Sequence, residues 1–516
     1  MLQRISPHLR LANSQHGFRS HRSTTTALLP LAHQVAVGFN QELPPHRTVA
    51  MAVDFSKAFD TVDHTDLLQS IHESTMDPNT VRWLCTYLRG RTASCSYNRK
   101  ESAKITLHQG VPQGSVLFPQ LFNLYVSTYP ETSELCTSYA DDFTATTSHP
   151  KVEIAAENLA KHAADVAAWA EERSLIVSAQ KSTITLFTPE TKQSHLHPTV
   201  PLNGSPLPLD RNPKILGVTF DPHFHFHKHV ENIANKAKQR LNILRQLCGT
   251  NWGQQKETIL LTFNMLIRSL FTYAAAIWFP NASETSIEKL QVIQNSALRI
   301  ATGCVKMTAI DHLHTEAKAL KVKEHLRMLC SQALATSLQP EHASFPIVTA
   351  DSGPRNKKDT LQSGFLDQVE DLLVDGHVRD IKETRKEIHT RAVEAAIRSR
   401  EPNRVLRTTP PEIQEEEVEM TRGERTALAQ LRSGFSSDLE SFKNRIGVSD
   451  SPLCPCCRLS EHTTEHIFDC PEHPTHLTPL DMWLNPRRVV EHLRTWPCFD
   501  SRLLRERPPP EFPPRN

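Results

Sequence analysis

An excess of either charge is missing from this chain. Its 516 residues carry 58 Lys+Arg against 57 Asp+Glu, a net charge of +1. Total charge therefore neither favours nor excludes a polyanionic partner, and any basic surface must be local. Long apolar runs are missing too. The longest stretch, Leu270 to Pro280, falls short of the roughly 20 residues a membrane helix needs. The amino terminus, MLQRISPHLRLANSQ, has no unbroken apolar segment of the kind a secretory signal carries. A soluble, intracellular chain with no membrane partner is the expectation. No disulfide framework is visible: the 11 cysteines are an odd number, and four of them crowd between Cys454 and Cys470. In a reducing compartment such crowding points to metal rather than to bridges. No internal repeat is present. What is there is an ordinary 38% apolar fraction with 22% charge, enough to fold and, at this length, to form several domains.

Residues 1–221 alternate short apolar runs with helical patterns. The run VAMAV (49–53) predicts a buried strand. A helix with Phe59, Val62, Leu67 and Ile71 on its inner face is expected next. ELCTSYADDFTATT (134–147) predicts two strands meeting at a tight turn on Asp141-Asp142, because Asp tolerates turn conformations. Pro150 opens a helix in which Val152, Ala156, Leu159, Ala163, Val166 and Ala170 recur at three- and four-residue spacing. Apolar segments follow at 175–177, 183–187 and 215–220. This order predicts an α+β unit of β-α-β-β-α-β type with helices on one face of the sheet.

From 222 to 335 the period is helical. Val230, Ile233, Ala237, Leu241, Leu244 and Leu247 form one stripe ended by Gly249; Ile287, Leu290, Ile293, Ala297 and Ile300 form another ended by Gly303. Residues 336–423, with the block EIQEEEVE (412–419), read as a charged linker with exposed helices. A compact module is expected over 424–500, and a disordered proline-rich tail over 501–516.

Three carboxylates are the strongest chemical signal. Asp54 ends the first strand, and Asp141 and Asp142 sit at the hairpin turn. Alone, each is equally well read as a solvated acid or a turn cap. Brought together, they repel unless a cation neutralises them. Magnesium takes oxygen ligands and keeps phosphates in its shell, and a pair of such ions activates a hydroxyl and stabilises a leaving pyrophosphate.

The companions of these acids decide between the two readings. QHGFRSHRSTTTAL (15–28), AVDFSKAFDTVDH (52–64), QGVPQGSVLFPQLFNLY (109–125), YADD (139–142), KSTITLF (181–187) and ILGVTFD (215–221) stand in one order over some 200 residues. Together they resemble the polymerase domain of a reverse transcriptase, of the jockey-like LINE class of non-LTR retrotransposons. The resemblance implies a right-hand polymerase: partial fingers and a palm with an antiparallel sheet over 1–221, and a helical thumb over 222–335. It implies an RNA-directed DNA polymerase with RNA template, DNA primer or target and deoxynucleoside triphosphates as partners. Asp54 and Asp141 would ligate two magnesium ions, with manganese as a substitute, assisted by Asp142 and the Phe55 carbonyl. Phe59 would press on the sugar and exclude a 2′-hydroxyl. Gln113 and Gly114 would lie against the nucleotide, and Lys181 would neutralise the leaving pyrophosphate. In the thumb, seven Lys/Arg face two acids between Phe226 and Leu270, with Lys236, Lys238, Arg240 and Arg245 as candidate nucleic-acid contacts.

The late cluster CPCCRLSEHTTEHIFDC (454–470) offers Cys454, Cys457, His466 and Cys470 at a spacing that closes on a structural zinc ion; Cys456 and His462 are alternative ligands. With LAQLRSGF (428–435) it resembles the C-terminal zinc knuckle of the same retrotransposon proteins. A small module of this kind is expected to lose its fold on chelation. The chain departs from the family in three respects. The first block begins at Gln15, so truncation within the fingers is expected, leaving Arg19 and Arg22 as candidate phosphate ligands. Phe118-Pro119-Gln120 stands where Ser-Pro-Leu is usual, a bulk expected to obstruct the template. Ser178 stands where Asn is common. The alternative is a non-enzymatic nucleic-acid-binding remnant of such an element; a group II intron maturase also uses YADD but lacks the zinc knuckle.

Overall fold

The computed structural model describes residues 11–42, 44–73, 76–193, 195–350, 358–496 and 503–504. The expected tail therefore lies, apart from residues 503 and 504, outside the described residues. The chain forms two compact units of interleaved segments: one from residues up to His229, Ala274–Ser283 and Cys330–Arg385, the other from Val230–Tyr273, Glu284–Leu329 and the residues from Lys386 onward.

In the first unit, helix α1 (Thr24–Asn40) starts from a capping box between Ser23 and Thr26, which satisfies donors that a helix start leaves open. Strand β1 (Arg47–Val53) follows. Helices α2 (His64–Glu73), α3 (Pro78–Leu88) and α4 (Phe118–Tyr125) lead to the hairpin β2 (Leu135–Tyr139) and β3 (Asp142–His149). Helix α5 (Val152–Glu172) and strand β4 (Thr183–Phe187) complete the sheet, whose order is β2-β3-β1-β4 with every neighbour antiparallel. All six expected inward positions of α5 are buried.

Helices cover both faces of this sheet rather than one. Val49, Met51 and Val53 point into the core that α5 fills, and Thr147 Oγ1 donates to the Ala155 carbonyl of α5. The opposite face is small, with Thr48, Ala50 and Thr146 buried on it, and α1 lies against it. A Cβ on Gly38 of α1 would sit 3.2 Å from Ser148 Oγ, while Gln34 accepts from Thr146 Oγ1. A strand apolar at every position reads as buried on both sides; the VAMAV run carried that signal. Two further expectations change. The helix after β1 starts at His64, so Phe59 and Val62 lie in the turn before it. Residues 175–177 contribute one bridge, Val177 to Phe55, instead of a strand. Late segments complete this unit: Asn40 Nδ2 donates to the Lys358 carbonyl (2.7 Å), and the Lys358 amide donates back to Asn40 Oδ1 (2.9 Å).

In the second unit, helix α6 (His227–Leu247) buries Val230, Ile233, Ala237, Leu241 and Leu244. Helix α7 (Glu284–Thr302) ends at Gly303, whose φ of +74 and closeness to Thr426 leave no room for a Cβ. The helical run Lys256–Asn281 is long and apolar enough to cross a membrane by length and composition alone, beyond the expectation set by Leu270 to Pro280. It carries a π turn at Asn264–Arg268 and a left-handed residue, Ala274 (φ 48). Its buried side is that of a core helix: Ile259, Phe263, Ile267 and Phe271.

The acidic block at 412–419 is not uniformly exposed. Glu417 is 1% exposed and pairs with Arg432, whose side chain is fully buried. Arg432 Nη1 also reaches Glu316 (3.2 Å), and Lys256 Nζ lies 3.5 Å from Glu316 and 3.6 Å from Glu417. Despite full burial, Arg432 and Lys256 hold the Glu316 carboxyl down to about 2. Sequence gave no sign of this network because its members lie up to 176 positions apart (Lys256 to Arg432). Removing one partner from such a set strands a buried charge, which typically costs about 3–5 kcal/mol. Arg432→Leu should lower unfolding stability by that order in denaturant melts, whereas the joint change Arg432→Leu, Glu316→Leu, Glu417→Leu and Lys256→Met, which strands no lysine, should cost markedly less.

Candidate active site

The sheet brings the three acids to one end. Val53 pairs with Phe143, so Asp54, the next residue along β1, meets the start of β3. Tyr139 pairs with Asp142, leaving Ala140 and Asp141 as a two-residue loop. The turn is thus one residue earlier than expected, and Ala140, not an aspartate, takes the left-handed conformation (φ 58). Burial raises Asp141 and Asp142 above the ordinary carboxylate range; the Asp54 charge adds to both, and the Asp141 charge adds to Asp142. Asp54 Oδ1 is buried with no hydrogen-bond partner among the described residues. An orphaned carboxylate oxygen beside two like charges is a donor set suited to a hard, oxygen-seeking cation.

The main chain around Asp54 is pinned. Its amide donates to Ser182 Oγ (3.0 Å), and its carbonyl accepts from the Ser178 amide (2.9 Å). Ser178 acts here through its backbone, so serine in place of asparagine leaves this contact intact. The Phe55 ring packs on Phe143 (5.3 Å) and Trp169 (6.0 Å). No described residue donates to the Phe55 carbonyl.

Sequence reasoning missed the role of Gln15. Its Oε1 accepts from the amides of Gly17 (2.7 Å) and Ala140 (3.0 Å), and its Nε2 donates to the Ala140 carbonyl (3.2 Å). One amide side chain therefore clamps the strained alanine, whose left-handed backbone costs about 1–2 kcal/mol. A Cβ on Gly17 would meet the Ala140 nitrogen at 2.3 Å, so glycine is required there. Arg19 and Arg22 belong to the same brace. Arg19 Nη1 donates to the carbonyls of Ala12 (2.7 Å) and Gln15 (3.1 Å), and Arg22 Nη1 to those of Asn13 and Gln15. Through Nη1 both guanidiniums hold the 12–15 loop, a structural role beside the phosphate-binding one expected of them.

The remaining candidates surround this centre in sequence and differ in setting. Phe59 is half-buried on Phe122 (4.6 Å) and Phe118 (4.9 Å). Phe118 in turn meets Phe18 at 5.9 Å, so the bulk expected to obstruct a template is packed among aromatic rings. Gln113 Nε2 donates to Asp60 Oδ1 (3.0 Å), and Gly114 has a φ of +87 with open space beyond its Cα. Lys181 is exposed in the turn before β4.

The reverse transcriptase (RNA-dependent DNA polymerase) family profile matches residues 1–220. Those residues are a reverse transcriptase domain. The "Probable RNA-directed DNA polymerase from transposon BS" of Drosophila melanogaster is 26% identical over 325 residues, covering 61% of this chain and 35% of that protein. The RNA-directed DNA polymerase from mobile element jockey of Drosophila melanogaster is 24% identical over 361 residues, covering 67% and 38%. The chain thus spans about a third of the length of these relatives. Among solved structures, a Candida tropicalis telomerase bound to a telomeric RNA fragment aligns at 13% identity over 65% of this chain and 52% of that one, with a TM-score of 0.33.

Beyond the reverse transcriptase domain, Cys454, Cys457, His466 and Cys470 come together with ligand atoms all within 4.8 Å of one another. The Cys454 and Cys470 sulfurs are 4.0 Å apart, and Cys457 Sγ is 3.3 Å from His466 Nε2. Ligands at a tetrahedral zinc lie roughly 3.5–3.8 Å from one another, so the cluster fits that ion. The alternatives are otherwise engaged: Trp496 Nε1 donates to Cys456 Sγ (2.7 Å), and His462 Nδ1 accepts from the Glu440 amide (3.2 Å). On helix α6 Lys228, Lys236, Lys238 and Arg245 are exposed. Arg240 donates to the Leu266 carbonyl, Arg268 is buried, and Lys256 belongs to the ion-pair network. The expected basic face is therefore smaller than seven residues.

The raised Asp141 and Asp142 carboxyls set a pH dependence. Without a cation, the stability they contribute declines as pH rises from about 4 through their raised values. Asp142→Asn should then raise the melting temperature at pH 7, with a smaller difference at pH 4. Millimolar magnesium should stabilise the native protein more than the variant, as read by thermal melts.

Proposed function

We propose that this chain is an RNA-directed DNA polymerase of a non-LTR retrotransposon, extending a primer 3′-hydroxyl along an RNA template. The observation that carries the reading is the trio Asp54, Asp141 and Asp142 with its buried, unbonded Asp54 oxygen. Asp54 and Asp141, with Asp142 and the Phe55 carbonyl beside them, would hold two magnesium ions, which supply the charge that activates the hydroxyl and stabilises pyrophosphate. Gln15 keeps the hairpin turn in the one conformation that aims Asp141. Phe59, stiffened by Phe118 and Phe122, stands as a wall against a sugar 2′-hydroxyl. Gln113 and the open Gly114 offer a surface to the incoming nucleotide, since glycine permits close backbone approach. Lys181 neutralises the departing pyrophosphate. Lys236, Lys238 and Arg245 contact phosphates of the bound strands, and the Cys454, Cys457, His466 and Cys470 cluster holds a structural zinc.

Magnesium-dependent primer extension on an RNA template is the direct test. Asp54→Ala should abolish it, and Phe59→Ala should raise ribonucleotide use about tenfold or more relative to deoxynucleotides. One observation favours a non-enzymatic, nucleic-acid-binding reading: Arg19 and Arg22 each give one guanidinium nitrogen to the 12–15 loop, which leaves fewer of their donors for a triphosphate. Salt-sensitive RNA binding with no extension, unchanged by Asp54→Ala, would decide for it.

The zinc reading has its own readout. Cys454, Ile467, Phe468 and Cys470 sit in one apolar core with Leu431, Met482, Trp483, Val490 and Leu493, so the cluster is not an isolated knuckle. Metal analysis should find one zinc per chain. Chelation, or Cys457→Ser, should lower the melting temperature without unfolding the whole protein.

A further inference from the structure

We propose that helix α3 and the loops after it, to Lys104, form a stacking platform for single-stranded RNA. The platform deepens the polymerase reading, on which it rests, by adding a contact surface that includes none of the residues placed at the active site. Between Arg82 and Lys104 stand six basic residues, Arg82, Arg89, Arg91, Arg99, Lys100 and Lys104, against the single acid Glu101. In a chain of net charge +1 that is a marked concentration. All but Arg91 are exposed, and none of the six is in an ion pair with a described residue. The carboxylate of Glu101 is turned to Ser94, whose hydroxyl donates to it (2.5 Å).

The aromatic part is already assembled. Trp83 and Tyr87 stack at 5.4 Å with their planes 13° apart, and the Arg91 guanidinium lies 5.0 Å from the centre of the Tyr87 ring. Positions 83 and 87 are one helical turn apart, and Gly90 (φ +67) turns the chain after α3 before Arg91. Helix α3 reaches the core through Val81, Leu84 and Leu88, with Tyr87 packed against its edge, while Trp83 has no place in it. Trp83 is 42% exposed and Tyr97 76% exposed. Aromatic faces interleaved with unpaired cations match what an unpaired strand offers: free base faces spaced by phosphates. A duplex hides its base faces, so the single strand is the fitting occupant. An acidic peptide would satisfy the charges but not the rings.

The test uses the full chain, without divalent ions, and a 12-nucleotide unstructured RNA containing 4-thiouridine. Photocrosslinks should map to peptides within 82–104 as well as to those bearing Asp54 and the Asp141–Asp142 hairpin. By fluorescence anisotropy, Trp83→Ala with Tyr87→Ala should weaken single-strand binding about tenfold or more, with less effect on an RNA duplex. Arg89→Ala with Arg99→Ala should reduce the slope of log affinity against log salt by about 1.4. Crosslinks confined to the strands bearing the three acids or to helix α6, with none in 82–104, would overturn the platform while leaving the polymerase reading intact. Crosslinks nowhere would remove both. Equal loss for single strand and duplex, or equal competition by an oligoglutamate peptide, would also overturn it. Should a variant fail to fold, as seen by circular dichroism, the crosslink map of the native protein decides.

Discussion

Three like charges held at one end of a sheet are the constraint around which the first unit is organised. No described residue forms an ion pair with Asp54, Asp141 or Asp142, and Asp54 Oδ1 is left without a described partner. A chain left to itself would move such groups apart. Here the β1–β3 register fixes Asp54 against the hairpin, Ser178 and Ser182 pin its main chain, and Gln15 locks the turn. The geometry is maintained by backbone bonds on every side, so that the side chains remain available for chemistry.

The second unit handles charge in the opposite way. Glu316 and Glu417 are buried as deeply as any core residue, yet each meets two cations or more within 4 Å. Full pairing makes burial tolerable, and the arrangement fixes which segments meet. Unpaired acids in one unit mark a site for a ligand; paired acids in the other mark a structural joint. The distinction is visible only once partners are known.

Much of the active site could be read directly from the sequence, because the strand pattern of VAMAV and the alternation around YADD fix where Asp54, Asp141 and Asp142 must end up. The stripes of α5 and α6 were equally plain, since their apolar spacing is local. What escaped was contact at a distance. Gln15 carries no local pattern that links it to Ala140, and Arg19 and Arg22 resemble free cations until the carbonyls of 12–15 are seen around them. The small residues of β1 were read for one face only, although alternate alanines and threonines are what admits a second helix. The acidic block hid Glu417 for the same reason: exposure is a property of the packed neighbourhood.

Because the first unit draws on Ala274–Ser283 and Cys330–Arg385 as well as on residues up to His229, its completion is tied to the order of synthesis. A nascent chain would display the acidic sheet end long before the segment bearing Lys358 emerges from the ribosome to meet Asn40. Part of the second unit, including Lys256, is therefore made while the first is still open. Any early termination before about residue 385 would yield the acidic sheet without the last segment that completes its unit.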